Sequence, residues 1–168
     1  MNEKLTKDDL TNKFKKSLLS LKNRGSVDEM AIMYWQEMID NRSQPGPWDN
    51  EPDELSFVEE VTKLECLILR NLLFGSLCGY IVFPEGKDLD TDLLEVHGGV
   101  THSNFSSHPL HSSKYCIGFD CAHAYDWSPY AMSQTFAEET FSTYKDIEFV
   151  KAECRKLAKQ LYDLKEKK

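Results

Sequence analysis

A chain of 168 residues, 40% apolar and 29% charged, suits one globular domain around one core. A formal net charge of −8 lacks the basic surplus needed to displace counterions from a duplex, so nucleic acid is not an expected partner. No apolar run approaches the ~18 residues that cross a bilayer, and Met1-Asn2-Glu3-Lys4-Leu5 does not open a signal peptide, so a cytoplasmic protein without membrane contact is expected.

The five cysteines (Cys66, Cys78, Cys116, Cys121 and Cys154) are odd in number and form no C-x-x-C pair. Free thiols packed as small apolar residues are expected. The basic runs, Lys13 to Arg24 and Lys165 to Lys168, read as solvated faces.

Residues 6–24 predict a helix. Thr6 and Asp9 make a capping box, Leu10, Phe14, Leu18 and Leu21 recur at helical spacing, and Gly25 stops it. Ser26 and Glu29 open a second helix to about Ile39. Its Met30, Met33, Tyr34, Trp35 and Met38 form a wide apolar face. That face either closes a helical hairpin with the first helix or serves as an interface, to a second copy of the chain or to a host protein.

Residues 42–54 hold three prolines and a glycine, which exclude helix and central strand. Trp48 is too costly to leave in water, so this loop is expected to pack down on the domain. It marks a seam between an N-terminal helical extension, 1–42, and a main body, 43–168.

Beyond it, residues 55–61 and 65–70 read as two strands joined by a tight turn. Leu77-Cys78-Gly79-Tyr80-Ile81-Val82-Phe83 is the next strand, Leu93-Leu94-Glu95-Val96-His97 another, and Tyr115-Cys116-Ile117-Gly118-Phe119 the last clear one. Residues 101–114 read as a long polar loop. Ile147, Val150, Cys154, Leu157, Leu161 and Leu164 fall on one helical stripe. The order argues for an α+β fold: a mostly antiparallel sheet packed by a C-terminal helix, with an N-terminal helical hairpin.

Several blocks carry a resemblance. They are Gly46-Pro47-Trp48-Asp49-x-Glu51-Pro52-Asp53, Cys78-Gly79-Tyr80 with Pro84-x-Gly86, Val96-His97-Gly98-Gly99-x-Thr101, Gly118-Phe119-Asp120-Cys121-Ala122-His123-Ala124-x-Asp126, and Tyr144-x-Asp146. In this order, over most of residues 46–162, they resemble a family of short proteins encoded by phages, prophages and bacteria. The resemblance implies a phage-associated cytoplasmic protein and supplies no reaction. Tyr125 stands where that family usually has glycine.

The chemistry gathers on two of these blocks. His97 before Gly98 and Gly99 allows a sharp turn and close backbone approach by a ligand, or a histidine simply hydrogen-bonded in that turn. Asp120 either faces a ligand or caps the turn after its strand. His123 and Asp126 follow Asp120 at intervals of three, and His–Asp pairing fixes an imidazole for acid–base work.

His97, His102, Asp120, His123 and Asp126 suit a zinc or manganese ion chemically, but no recognised ligand motif is present, so metal and cofactor are left open. Cys121 is expected to face the core, opposite Asp120. His108 and His111 read as exposed loop residues.

The expected function is binding of a small, nucleotide-like molecule through His97, Gly98, Gly99, Thr101, Asp120, His123 and Asp126, with capture of a host defence signal as one use. The alternative is a hydrolase with His97 and His123 as acid and base and Asp120 as their partner, with or without a metal. A third reading is a host-protein-binding inhibitor using the second helix.

Overall fold

The computed structural model describes residues 46–71, 74–106, 113–129 and 141–166. The expected N-terminal helical hairpin, its Met/Trp face, His108 and His111 lie outside the described residues.

Five antiparallel strands form one sheet: β1 (Glu54–Val58), β2 (Glu65–Arg70), β3 (Leu77–Val82), β4 (His102–Phe105) and β5 (Tyr115–Asp120), in the order β1-β2-β3-β5-β4. A C-terminal helix, α1 (Ile147–Glu166), packs against β3 and β2. The α+β reading holds for this body.

Alternation along each strand decides what faces the helix. Cys66 and Ile68 of β2, Leu77 and Ile81 of β3, and Ile117 and Phe119 of β5 join Val150, Cys154, Leu157 and Leu161 of α1 in one core. Gly79 belongs to the same face. A Cβ there would lie 2.6 Å from the Phe119 ring and 2.7 Å from Cys154 Sγ, so the missing side chain lets helix and sheet close together.

β1 ends at Val58, three residues before the sequence predicts. The Glu59 carboxylate takes over the backbone there, accepting from Val61 N at 3.1 Å, Thr62 N at 2.7 Å and Thr62 Oγ1 at 2.7 Å. Lys63 then reverses the chain with φ of 59°.

The described part of the proline-rich segment, from Gly46 on, does pack down. Trp48 sits edge-on to Tyr144 with ring centroids 5.2 Å apart. Beneath it lies Arg70, whose side chain is 1% exposed. Its Nε donates to Asp53 Oδ1 and its Nη2 to Glu51 Oε2, each at 3.0 Å. Its Nη1 donates to Gly75 O and Tyr144 Oη, each at 2.8 Å. Glu51 Oε1 also accepts the Ile147 N–H at 2.9 Å and so caps the start of α1. Residues 46–53 thus clamp the end of β2 to the start of the helix.

The structure corrects two elements. Leu93-Leu94-Glu95-Val96-His97 is not a strand: Thr91–Leu93 is a 3₁₀ turn, residues 94–96 run irregularly beside α1, and His97 enters a turn. Its backbone is satisfied by helix side chains instead of a neighbouring strand. Glu95 N donates to Gln160 Oε1 and Gln160 Nε2 to Glu95 O, both at 2.8 Å, and His97 N donates to Glu153 Oε2 at 2.7 Å. Within the expected polar loop, His102–Phe105 forms the edge strand β4.

Candidate functional site

Two tight turns face each other near the start of α1. The first is Val96-His97-Gly98-Gly99, closed by Gly99 N to Val96 O at 2.9 Å, with Gly98 at φ of +67° in its third position. The second is His123-Ala124-Tyr125-Asp126, closed by Asp126 N to His123 O at 3.0 Å. Its third position holds Tyr125 at φ of +70°, a backbone that glycine adopts without strain. The position marked as a departure from glycine therefore keeps a glycine-type conformation.

Residue 126 is held inward by a short parallel bridge to Thr143. Thr143 N donates to Tyr125 O at 2.9 Å and Trp127 N to Thr143 O at 3.1 Å. The Asp126 side chain is 2% exposed. Its Oδ2 lies 2.8 Å from His97 Nε2 and accepts the His123 N–H at 3.1 Å. An ionised carboxylate only accepts, so with Asp126 in that form Nε2 of His97 is the donor of this contact.

Lys145 Nζ stands 3.7 Å from Asp126 Oδ1 and 5.2 Å from the centroid of the Phe149 ring. The His97 ring makes T-shaped contacts with Phe149, at 5.2 Å, and His123, at 5.5 Å between centroids.

His123 is placed differently. Its Nδ1 lies 3.5 Å from Asp126 Oδ2 and 3.9 Å from Asp120 Oδ1, too far for a hydrogen bond, and is buried without a partner. Gly98 fixes the ring's position, because a Cβ at residue 98 would come within 2.0 Å of His123 Cε1. One donor atom from each of His97, His123 and Asp126 lies within 4.8 Å of the other two.

The remaining expected site residues fall around this group. Asp120 Oδ1 accepts from Ala122 N at 3.0 Å, so Asp120 caps the turn after β5, with its carboxylate at the rim of the group. Gly99 has open space where a side chain would stand. Thr101 donates its backbone N–H to Gly118 O at 2.9 Å and is exposed. His102 does not join. It pairs with Gly118 and lies edge-on to Tyr80, 5.3 Å between centroids, on the sheet face away from α1.

Cys121 is in the core, and burial pushes its thiol far up. Burial also raises Cys66 to about 12 and Cys78 to about 11, so none of these is a ready thiolate.

Sequence reasoning missed Lys145, Phe149 and Glu153. Phe149 and Glu153 are spaced i, i+4 beside the buried pair Val150 and Cys154, which was a readable signal for one helix face. Among the described residues, no helix is long and apolar enough to cross a membrane. No protein-family model, no curated protein and no solved structure matches this chain.

Proposed function

We propose that the protein is an enzyme of the acid–base type that hydrolyses a small, nucleotide-like molecule, with His97 as the proton-transferring residue and Asp126 as its positioning partner. The observation that carries this reading is the 2.8 Å contact between His97 Nε2 and a carboxylate whose side chain is 2% exposed. A buried carboxylate on one ring nitrogen orients the imidazole and leaves Nδ1 as the proton acceptor. His123 completes the centre. The His97 side chain, 23% exposed, remains within reach of solvent-borne molecules.

The ligand class follows from the surroundings. Lys145 supplies an ammonium beside Asp126. Tyr125 and Phe141 are 73% and 70% exposed, one adjoining Asp126 and the other two residues before its bridge partner Thr143. Exposed aromatic rings close in sequence to the centre, and an ammonium within it, would suit a base and an anionic group. A cytoplasmic setting agrees with five free, buried thiols.

Incubation of the full chain with a panel of nucleotides and cyclic nucleotides, with products separated chromatographically, tests this. Turnover should fall about 10²-fold or more in His97→Gln with the circular dichroism spectrum unchanged. No product from any substrate, or a fully active His97→Gln, would count against it.

The exposed pair Tyr125 and Phe141 also favours a second reading. Here the molecule is captured without turnover, as a phage-type protein would hold a host defence signal. Thermal stabilisation by a nucleotide that is recovered unchanged would select this reading.

A further inference from the structure

We infer that His97, His123 and Asp126 together form a binding site for one divalent transition-metal ion of the zinc type. This deepens the proposed hydrolysis at the same centre: with the ion in place His97 serves as its ligand, and the ion would take over from His97 the activation of water.

Four observations carry it. First, the donor set is two imidazoles and one carboxylate, which suits borderline cations far better than calcium or magnesium. Second, the spacing fits. Donors around a four-coordinate zinc lie about 3.3 Å apart, and Asp126 Oδ2 is 2.8 Å from His97 Nε2 and 3.5 Å from His123 Nδ1. Third, His123 Nδ1 is buried and unpartnered while aimed at a carboxylate, an arrangement that costs free energy until something is placed between them.

Fourth, the outer groups hold the ligands in place. The His123 backbone N–H steadies Asp126 Oδ2, Glu153 anchors the His97 backbone, and Phe149 sets the His97 ring plane. Asp120, at 3.9 Å from His123 Nδ1, and Asp126 together outweigh Lys145 and favour a dication.

Binding moves the proton of neutral His97 from Nε2 to Nδ1, so the ring neither gains nor loses charge. Three protein ligands leave a fourth position for water, whose pKa such an ion lowers toward about 7.

Titration of the full, metal-stripped chain with Zn²⁺ by calorimetry, and with Co²⁺ by visible absorption, tests the site. One equivalent should bind, with the intense d–d bands of tetrahedral cobalt. His123→Gln should weaken binding by about tenfold or more. It is the informative variant, because among the described residues the His123 side chain makes no hydrogen bond whose loss would unfold the chain. His102→Gln should bind as the parent does.

No saturable binding, or equal affinity in His123→Gln, would overturn the inference. Turnover that survives chelation would remove the metal and leave the acid–base reading standing. One bound equivalent without turnover would do the reverse.

Discussion

The imidazole of His97 and the carboxylate of Asp126 are 29 residues apart in the chain and 2.8 Å apart in space. Neither residue is on a strand or a helix. Each sits in a tight turn; Glu153 of α1 holds one, and the bridge to Thr143, in the segment leading into α1, holds the other.

Removing the charge at residue 126 should therefore be felt structurally. Asp126→Asn leaves the His97 Nε2–H and the His123 N–H competing for a neutral oxygen and deprives Lys145 of its neighbour. A loss of about 1–3 kcal/mol is expected from urea unfolding.

The two glycines after His97 should respond differently. Gly98→Ala drives a methyl group into the His123 ring and also strains a φ of +67°. It should cost about 1–3 kcal/mol and displace His123. Gly99→Ala, at φ of +85° in open space, meets no neighbour and should cost only about 1–2 kcal/mol of backbone strain, with the centre intact. Comparison of the two by thermal unfolding and by histidine ring NMR separates crowding from strain.

Arg70 is the main polar support of the fold. Arg70→Ala strands Glu51 and Asp53 beside a buried site and removes donors to Tyr144 and Gly75. A loss of about 3–5 kcal/mol is expected in denaturant unfolding. Arg70→Lys should recover little of it, because one ammonium cannot reproduce the planar fork that reaches Asp53, Gly75, Tyr144, Trp48 and Glu51 together.

Acid stability should depend on Glu59. The Thr62 backbone N–H, most of all, then the Thr62 hydroxyl and the Val61 N–H, hold its carboxyl below the ordinary value of 4.5, against the opposing effect of burial. Because the folded-state value is depressed, the ionised group stabilises the fold above the unfolded-state value. That contribution is lost as pH falls through the folded-state value. Glu59→Gln should therefore be less stable than the parent at pH 7, and the gap should narrow below about pH 4.5, measured by urea midpoints across pH.

The thiols should be inert until the chain opens. All five are buried, and burial raises each one. Labelling with a thiol reagent at pH 8 should be slow in the native protein and rapid in denaturant. Cys121→Ala should keep any activity of the centre, since Cys121 lies in the core and not among the reacting groups.

The sheet was legible where burial on both faces writes continuous apolar runs, as in Cys66 to Leu69 and Leu77 to Val82. The helix was legible because Val150, Cys154, Leu157 and Leu161 are all fully buried at helical spacing. Residues 93–97 misled because apolar residues recur along any half-buried segment. Only the partners differ, and those are Gln160 and Glu153, more than fifty residues away. β4 was invisible because an exposed edge strand such as His-Ser-Asn-Phe needs no apolar pattern.

At the site, the meeting of the Val96–Thr101 block with the Gly118–Asp126 block was readable from chemistry. The central place of Asp126 was not. It depends on the left-handed backbone of Tyr125 and on the bridge to Thr143, and neither leaves a periodic signature.

The most direct measurement is a long-range ¹H–¹⁵N spectrum of the histidine rings in the metal-free protein, for the parent and for Asp126→Asn. His97 should appear as the Nε2–H tautomer, and the substitution should shift the ring signals of both His97 and His123 while leaving His102 in place. A His97 ring protonated on Nδ1 instead, or His97 and His123 signals indifferent to residue 126, would contradict the account.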